Sequence, residues 1–388
     1  MMMASPAARS IVLATLTSAA LSAHAADWRV TPSASSSVGY VDNPRLVRDG
    51  ADAYMNYQGE LSAPMSFDDG RAQVSLNPRF VYASYPDDPL LDRNESYVTF
   101  AAQRRYETAT WSASIDFVRD TTLTSELGLT GLQQTNRPHQ GLNLAAGPTF
   151  AVSDRVQLGM QLNWSDNTYR NTDFTGLANY RYSLGAINAS YAWIQNLQLS
   201  LQSSFGRLEV PASGARSDNI NATAALSWQY SELWRTQLSV GPSLVESGGT
   251  ETNGYVYSVG ATRQGMRSTF SASVSKDVTP TGQGVLVARE RASLSIGHSL
   301  TDRISANASV GVVRNEDAVV LRGIGRRAVR YEYGNMNFNL NWRVTSNWSA
   351  VLSVGARTLS NDSTDTDASG YSAALGLQWH GDPRTRAR

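Results

Sequence analysis

The stretch from Met336 to Arg357 constrains the fold more than any other part of the chain. Met336, Phe338, Leu340 and Trp342 are apolar, with Asn337, Asn339 and Asn341 between them. A polar turn, Thr345-Ser346-Asn347, follows, and Trp348, Ala350, Leu352, Val354 and Ala356 then alternate with Ser349, Val351, Ser353, Gly355 and Arg357. A period of two places successive side chains on opposite faces of a strand. The stretch therefore reads as a hairpin with one apolar and one mainly polar face. A soluble sheet shares that alternation. What separates the two is repetition, because the unit recurs along the chain with no helical stretch between copies. Segments of about ten alternating residues separated by turns are the signature of a transmembrane β-barrel.

Composition agrees. Hydrophobic residues make up 41% of 388 residues, little for a large buried core but sufficient for a wide barrel whose inner face is wet. Lys276 is the only lysine and the formal charge is zero, so there is no basic footprint for nucleic acid. Cysteine is absent, which excludes a disulfide framework. At the start, Arg9, the small and apolar run Ile11 to Leu21, and Ala23-His24-Ala25 match the three parts of a secretory signal. The expected organisation is a signal peptide at 1–25, a barrel at 26–380 and a C-terminal tail at 381–388. No later stretch reaches the ~18 apolar residues of a membrane helix, so the expected destination is the bacterial outer membrane.

An all-β, antiparallel barrel of about eighteen strands is expected, running from Trp28–Val41 to Gly370–Trp379. Short connections fall near Asp69, Glu107, Asp154, Gln195, Glu232, Gly265, Asp302 and Ser346. Long ones fall near Arg48, Pro89, Gly131, Asn171, Gly214, Gly249, Thr281, Gly323 and Thr364. Short periplasmic turns and longer extracellular loops are the barrel rule, which puts both termini in the periplasm. With that topology Trp28, Trp111, Trp193, Trp228, Trp234, Trp342, Trp348 and Trp379 all fall at periplasmic strand ends. Tyr40, Tyr57, Tyr82, Tyr97, Tyr180, Tyr182, Tyr255, Tyr257, Tyr331, Tyr333 and Tyr371 fall toward the other rim. Girdles of this kind are expected at both interfaces. Five places strain the pattern. Glu290 shares the parity of Leu286, Ala288, Leu294 and Ile296, which predicts a parity-switching bulge. Parity also changes between Tyr333 and Met336, beside Gly334. Pro78, Pro148 and Pro242, inside strands, predict bulges or kinks. These irregularities leave sixteen strands as the alternative count.

The polar parity carries Arg71, Arg79, Arg235, Arg303, Arg343 and Arg357, with Glu60 and Asp116 as acidic exceptions. Arginines lining a pore favour anions; the plainer reading is that several only decorate the periplasmic mouth. The longest connection, Thr121 to Gln140, holds Leu123, Leu127, Leu129 and Leu132, too apolar for an exposed loop. It is expected either to fold inward as a constriction or plug, or to pack on neighbouring loops. Arg314, Arg322, Arg326, Arg327 and Arg330 form a basic stretch suited to lipopolysaccharide phosphates or an acidic glycan, or simply a solvated loop. His139, His298 and His380 show no metal-ligand spacing. Asp362, Asp365 and Asp367 lack the bidentate Glu of a calcium loop, and His298-Ser299 is the one adjacent His–Ser pair. Neither a cofactor, a metal site nor an enzyme activity is expected.

Ser37-Val38-Gly39-Tyr40-Val41-Asp42-Asn43, Arg79-Phe80-Val81-Tyr82 and the terminal strand resemble the β-barrel porin family encoded with exopolysaccharide and exosortase (PEP-CTERM) systems. Tyr371, Ala373, Leu375, Leu377 and Trp379 look like the assembly signal read by the barrel insertion machinery, although nine residues follow Trp379. The resemblance implies a wide barrel serving polysaccharide secretion, with outer-membrane lipid and lipopolysaccharide around it and periplasmic export proteins as partners. The expected function is therefore export of a polar or anionic polymer. The alternatives are a general small-solute porin and a structural or adhesive barrel.

Overall fold

A computed structural model describes residues 28–48, 52–130, 136–170, 176–317, 331–361, 366–382 and 384–386. The expected signal peptide lies outside them. The strands are β1 (Trp28–Val30), β2 (Ser33–Asp42), β3 (Ala53–Ser62), β4 (Met65–Asp68), β5 (Ala72–Ser84), β6 (Arg93–Arg105) and β7 (Ala109–Thr121). A helix, α1 (Thr122–Thr130), interrupts the series before β8 (Pro138–Ala151), β9 (Val156–Tyr169), β10 (Tyr180–Ile194), β11 (Leu197–Val210) and β12 (Ala215–Trp228). Then come β13 (Trp234–Ser247), β14 (Thr250–Gln264), β15 (Ser268–Pro280), β16 (Leu286–Ser299) and β17 (Ile304–Asp317). The last are β18 (Tyr331–Arg343), β19 (Trp348–Asn361), β20 (Thr366–His380) and β21 (Arg384–Arg386).

Eighteen of these strands close an antiparallel barrel, and β20 returns to β2 from Ser33↔His380 to Val41↔Ser372. The other three, β1, β4 and β21, extend the wall below the seam. There β1 pairs with both β4 and β21, and β4 continues along β5. Thr31-Pro32 and Ala63-Pro64 break the chain between each short strand and its long neighbour, where proline cannot donate to the ladder. Thr31 N–H reaches the Pro64 carbonyl at 3.0 Å and Gly381 N–H the Pro32 carbonyl at 2.8 Å, so the breaks in β1–β2, β3–β4 and β20–β21 sit side by side. The strand Arg384–Arg386 falls inside the stretch assigned to a tail.

Register assigns the two faces. Val38, Leu61, Phe80, Leu162, Ile187, Leu201, Val240, Leu352 and Leu375 are exposed on the outer surface, where lipid removes any need to bury them. The tryptophans at the periplasmic ends share that face. Trp228, Tyr230, Trp234 and Phe270 form a continuous run of ring contacts at 5.4–6.1 Å, and Trp111 meets Phe150 edge-on at 6.4 Å. The upper girdle is smaller than expected. Tyr40, Tyr57, Tyr82, Tyr255 and Tyr371 are outward and exposed. Tyr97, paired across from Arg79, and Tyr180, Tyr182, Tyr331 and Tyr333 lie on the inward face instead.

The expected irregularities resolve differently. β16 keeps one register with both neighbours, with Lys276↔Glu290↔Arg314 and no bulge. Glu290 does face outward, as the fifth residue of its strand. A 14-residue strand at ~3.3 Å per residue and ~40° tilt rises about 35 Å, above an apolar band of ~25 Å. Glu290 thus lies near the band's outer edge, paired with Lys276 at 3.3 Å. Beside it Arg314 pairs with Glu332 at 2.9 Å, completing an alternating ionic row on the outer wall. β18 is also continuous through Gly334: Tyr333 simply points inward. At Pro148 and Pro242 pairing lapses on one side of the strand without a register shift. The preceding glycines, Gly147 and Gly241, lie so close to the Met160 and Ala222 carbonyls that no Cβ fits. Pro78 faces the Ala63-Pro64 gap between β3 and β4. Finally, the connection at Gly249 is not long. Gly248 and Gly249, at φ 58° and 78°, make a two-residue hairpin, the left-handed geometry such a tight turn needs.

Candidate functional site: the lumen and its roof

The lower lumen is open and polar. Its main cavity, about 1020 Å³, is lined by Arg29, Gln73, Gln103, Ser112, Ser114 and Gln161, among others. Along β14 to β17 the inward face is a wall of hydroxyls, with Ser271 Oγ and Ser295 Oγ 2.7 Å apart and Ser273 Oγ and Ser293 Oγ 2.8 Å apart.

The upper lumen is roofed. α1 leaves β7 and turns inward, because its few anchoring side chains find partners on several walls. Leu123 packs against Leu46, Tyr333 and Leu359 on one side and Ala83, Tyr85 and Leu91 on the other. Thr124 hydroxyl donates to Glu95 and accepts from Arg93 at 3.1 Å. Glu126, 7% exposed, accepts from Tyr169 hydroxyl at 2.6 Å and from Gly282 N–H at 3.3 Å. Asp120 and His139, which bracket the connection, meet at 2.6 Å, and His139 also contacts Asn167 at 3.1 Å. Two further loops complete the roof: Leu46 is fully buried, and Arg45 bridges to Asp88 at 2.8 Å. Of the apolar loop residues, Leu123 is thus a roof anchor. The side chains of Leu127 and Leu129, and the whole of Leu132, lie outside the described residues.

The expected arginines separate into two sets. Arg71 and Arg303 stand in periplasmic turns, and Arg235 and Arg343 at periplasmic strand ends, so they surround the mouth. Arg79 and Arg357 are higher in the lumen. Arg79 is paired with Glu60 at 3.0 Å and lies over Tyr97 at 5.1 Å. Arg357 has no ion pair among the described residues and lines a cavity of about 270 Å³ under the roof. Sequence reasoning missed Arg93, Arg289 and Arg291, all inward. Arg289 makes a bidentate pair with Asp277 at 2.8 and 3.2 Å, and Arg291 is exposed to the lumen. Accepting Glu290 as outward would have found both, since its two neighbours must then face in.

Other candidates come apart. His298 faces outward and bonds Ser268 at 2.7 Å, while Ser299 takes the opposite face, so the two cannot act together. Among the described residues no group of three His, Asp or Glu could hold a metal. Arg322, Arg326, Arg327, Arg330, Asp362 and Asp365 lie outside the described residues. No helix among the described residues is long and apolar enough to cross a membrane; here strands cross.

The closed wall, its apolar outer belt and its aromatic rims define the class: the chain is an outer-membrane β-barrel. No protein-family model and no curated protein matches it. Solved structures similar to it include OccAB4 of Acinetobacter baumannii (TM-score 0.47, 11% identity, covering 93% of this chain and 99% of that one). The FrpB iron transporter of Neisseria meningitidis gives 0.48, 9%, 92% and 81%, and OpdL of Pseudomonas aeruginosa 0.45, 12%, 92% and 98%.

Proposed function

We propose that the barrel is a pore for polar solutes with a preference for anions. The observation that carries this reading is the charge left on the lumen wall after internal pairing. Glu60, Glu95, Asp120 and Asp277 are each taken by Arg79, Arg93, His139 and Arg289. Arg291 and Arg357 remain without an ion pair among the described residues, opposed by Asp116, and the mouth adds Arg29, Arg71, Arg235, Arg303 and Arg343 against Asp68, Asp69 and Asp302. A lumen of that sign concentrates anions through its field, and a barrel of this strand number is wide enough to hold water. Liposomes carrying the protein should swell in small organic acids faster than in sugars of equal size. Swelling no faster than that of empty liposomes would refute the pore.

Export of an acidic polysaccharide is the second reading, favoured by the serine pairs of β15 and β16 below Arg291, over which a sugar chain can exchange hydrogen bonds without sticking. Loss of extracellular polysaccharide in a strain lacking this chain would select it; unchanged polysaccharide would leave the solute pore. The outward row Lys276, Glu290, Arg314 and Glu332 supports contact with lipopolysaccharide headgroups in either case.

A further inference from the structure

The 270 Å³ cavity beneath the roof combines features that the pore reading alone does not require. Its polar side holds Arg93, Arg357, Asn56 and Gln58, and its apolar side Leu91 and Leu123. Arg357 comes from β19 and is not used in any ion pair among the described residues. Arg93 spends one terminal nitrogen on Thr124 and Glu95 and the other on Tyr85 hydroxyl at 3.5 Å, while its Nε has no partner among the described residues. Asn56 is 8% exposed, and its Oδ1 also lacks a partner among them. A buried acceptor left unpaired costs about 1–3 kcal/mol, and a half-turn of the amide would present this one to the cavity. The volume lies just below the usual range for ligand pockets, about 300–1,000 Å³, which suits a single ring.

We propose that this cavity, formed by Arg357, Arg93, Asn56, Gln58, Leu91 and Leu123, is a binding subsite for a monosaccharide-sized sugar acid. The proposal rests on the reading of the lumen as a path for polar anions. The carboxylate meets the planar fork of Arg357, which suits two parallel hydrogen bonds. A ring hydroxyl supplies the donor Asn56 lacks, and the C–H face of the ring lies on Leu91 and Leu123. A bare inorganic anion would leave the amide and the leucines unused, and a neutral sugar would leave Arg357 unpaired.

The test is calorimetric titration of the mature chain in detergent micelles with D-glucuronate, glucose and inorganic phosphate. Glucuronate is expected to bind saturably and the other two at least tenfold more weakly. Arg357→Gln should weaken glucuronate binding about tenfold or more, the loss of one charge-assisted contact. Gln58→Glu, which places a negative charge in the same cavity, should do likewise, and Arg263→Gln, an outward-facing cation over the Trp234 ring, should not. Heat-modifiable mobility verifies that each variant is a closed barrel. Equal binding of glucose or phosphate, absence of saturable binding, or indifference to both cavity variants would overturn the proposal. Liposome swelling on the same preparations separates the two readings. Binding without permeation would keep the subsite and remove the pore, and permeation without binding would remove the subsite alone.

Discussion

Removing the tether between α1 and the far wall should convert a steady channel into a flickering one. Among the described residues, Glu126 accepts hydrogen bonds from Tyr169 hydroxyl at 2.6 Å and from Gly282 N–H at 3.3 Å. Hydrogen bonds to carboxylates are worth about 1.5–3 kcal/mol each, with the longer Gly282 contact at the low end, so these two contacts hold α1 by roughly 3–5 kcal/mol. Tyr169→Phe deletes the bond to Glu126, together with the hydroxyl's contact to Tyr180, without changing the packing against His139, whose ring stacks on Tyr169 at 4.8 Å. It should shift the docked-to-undocked ratio of α1 by about 10- to 150-fold. Glu126→Ala should shift it further, although Leu123 still anchors the first turn. The assay is single-channel recording in planar bilayers. Parent channels are expected to hold one dominant level, Tyr169→Phe to visit a second, higher level briefly, and Glu126→Ala to dwell there. Identical current traces for all three proteins would refute the idea that this tether sets the constriction.

Other expectations follow from single contacts. Gly241→Ala places a Cβ on the Ala222 carbonyl, where no flexible group can give way. It should cost about 4 kcal/mol or more, read as loss of heat-modifiable barrel. Gly248→Val forces a β-branched residue into φ 58° and should cost about 1–2 kcal/mol, a lower unfolding midpoint with unchanged conductance. Trp379→Ala should reduce assembled barrel in the outer membrane while leaving export across the inner membrane intact; normal heat-modifiable mobility would count against a role in assembly. Replacing Arg357 and Arg291 together by Glu should move the reversal potential toward cations, whereas an unaltered potential would remove both from the path.

How much of this was legible in the sequence depends on height in the barrel. In the middle of the wall, lipid forces one parity to be apolar, so Met336 to Ala356 could be read residue by residue. Toward the extracellular ends that constraint lapses. Tyr40 and Tyr57 face lipid headgroups while Tyr97, Tyr180 and Tyr333 face a polar lumen or a packed roof, and an aromatic residue suits all of these settings. Parity alone marks Glu290 as a costly outward charge and so predicts a bulge; Lys276 beside it, one strand away, is a partner that only register reveals. α1 carries only a fragment of a helical stripe, since Leu123 and Leu127 share the i, i+4 spacing but Leu129 falls off that face. Its position follows from distant contacts to Glu95, Tyr169 and Gly282. Of the arginines, parity alone placed Arg79 and Arg357 inside, but nothing local showed that Glu60 neutralises one and leaves the other free.

The reversal potential of the barrel in a planar bilayer, under a salt gradient, tests the account most directly. The free lumen arginines predict discrete channels whose current reverses on the anion side of zero. Channels that favour cations, or no channels from verified barrels, would contradict it.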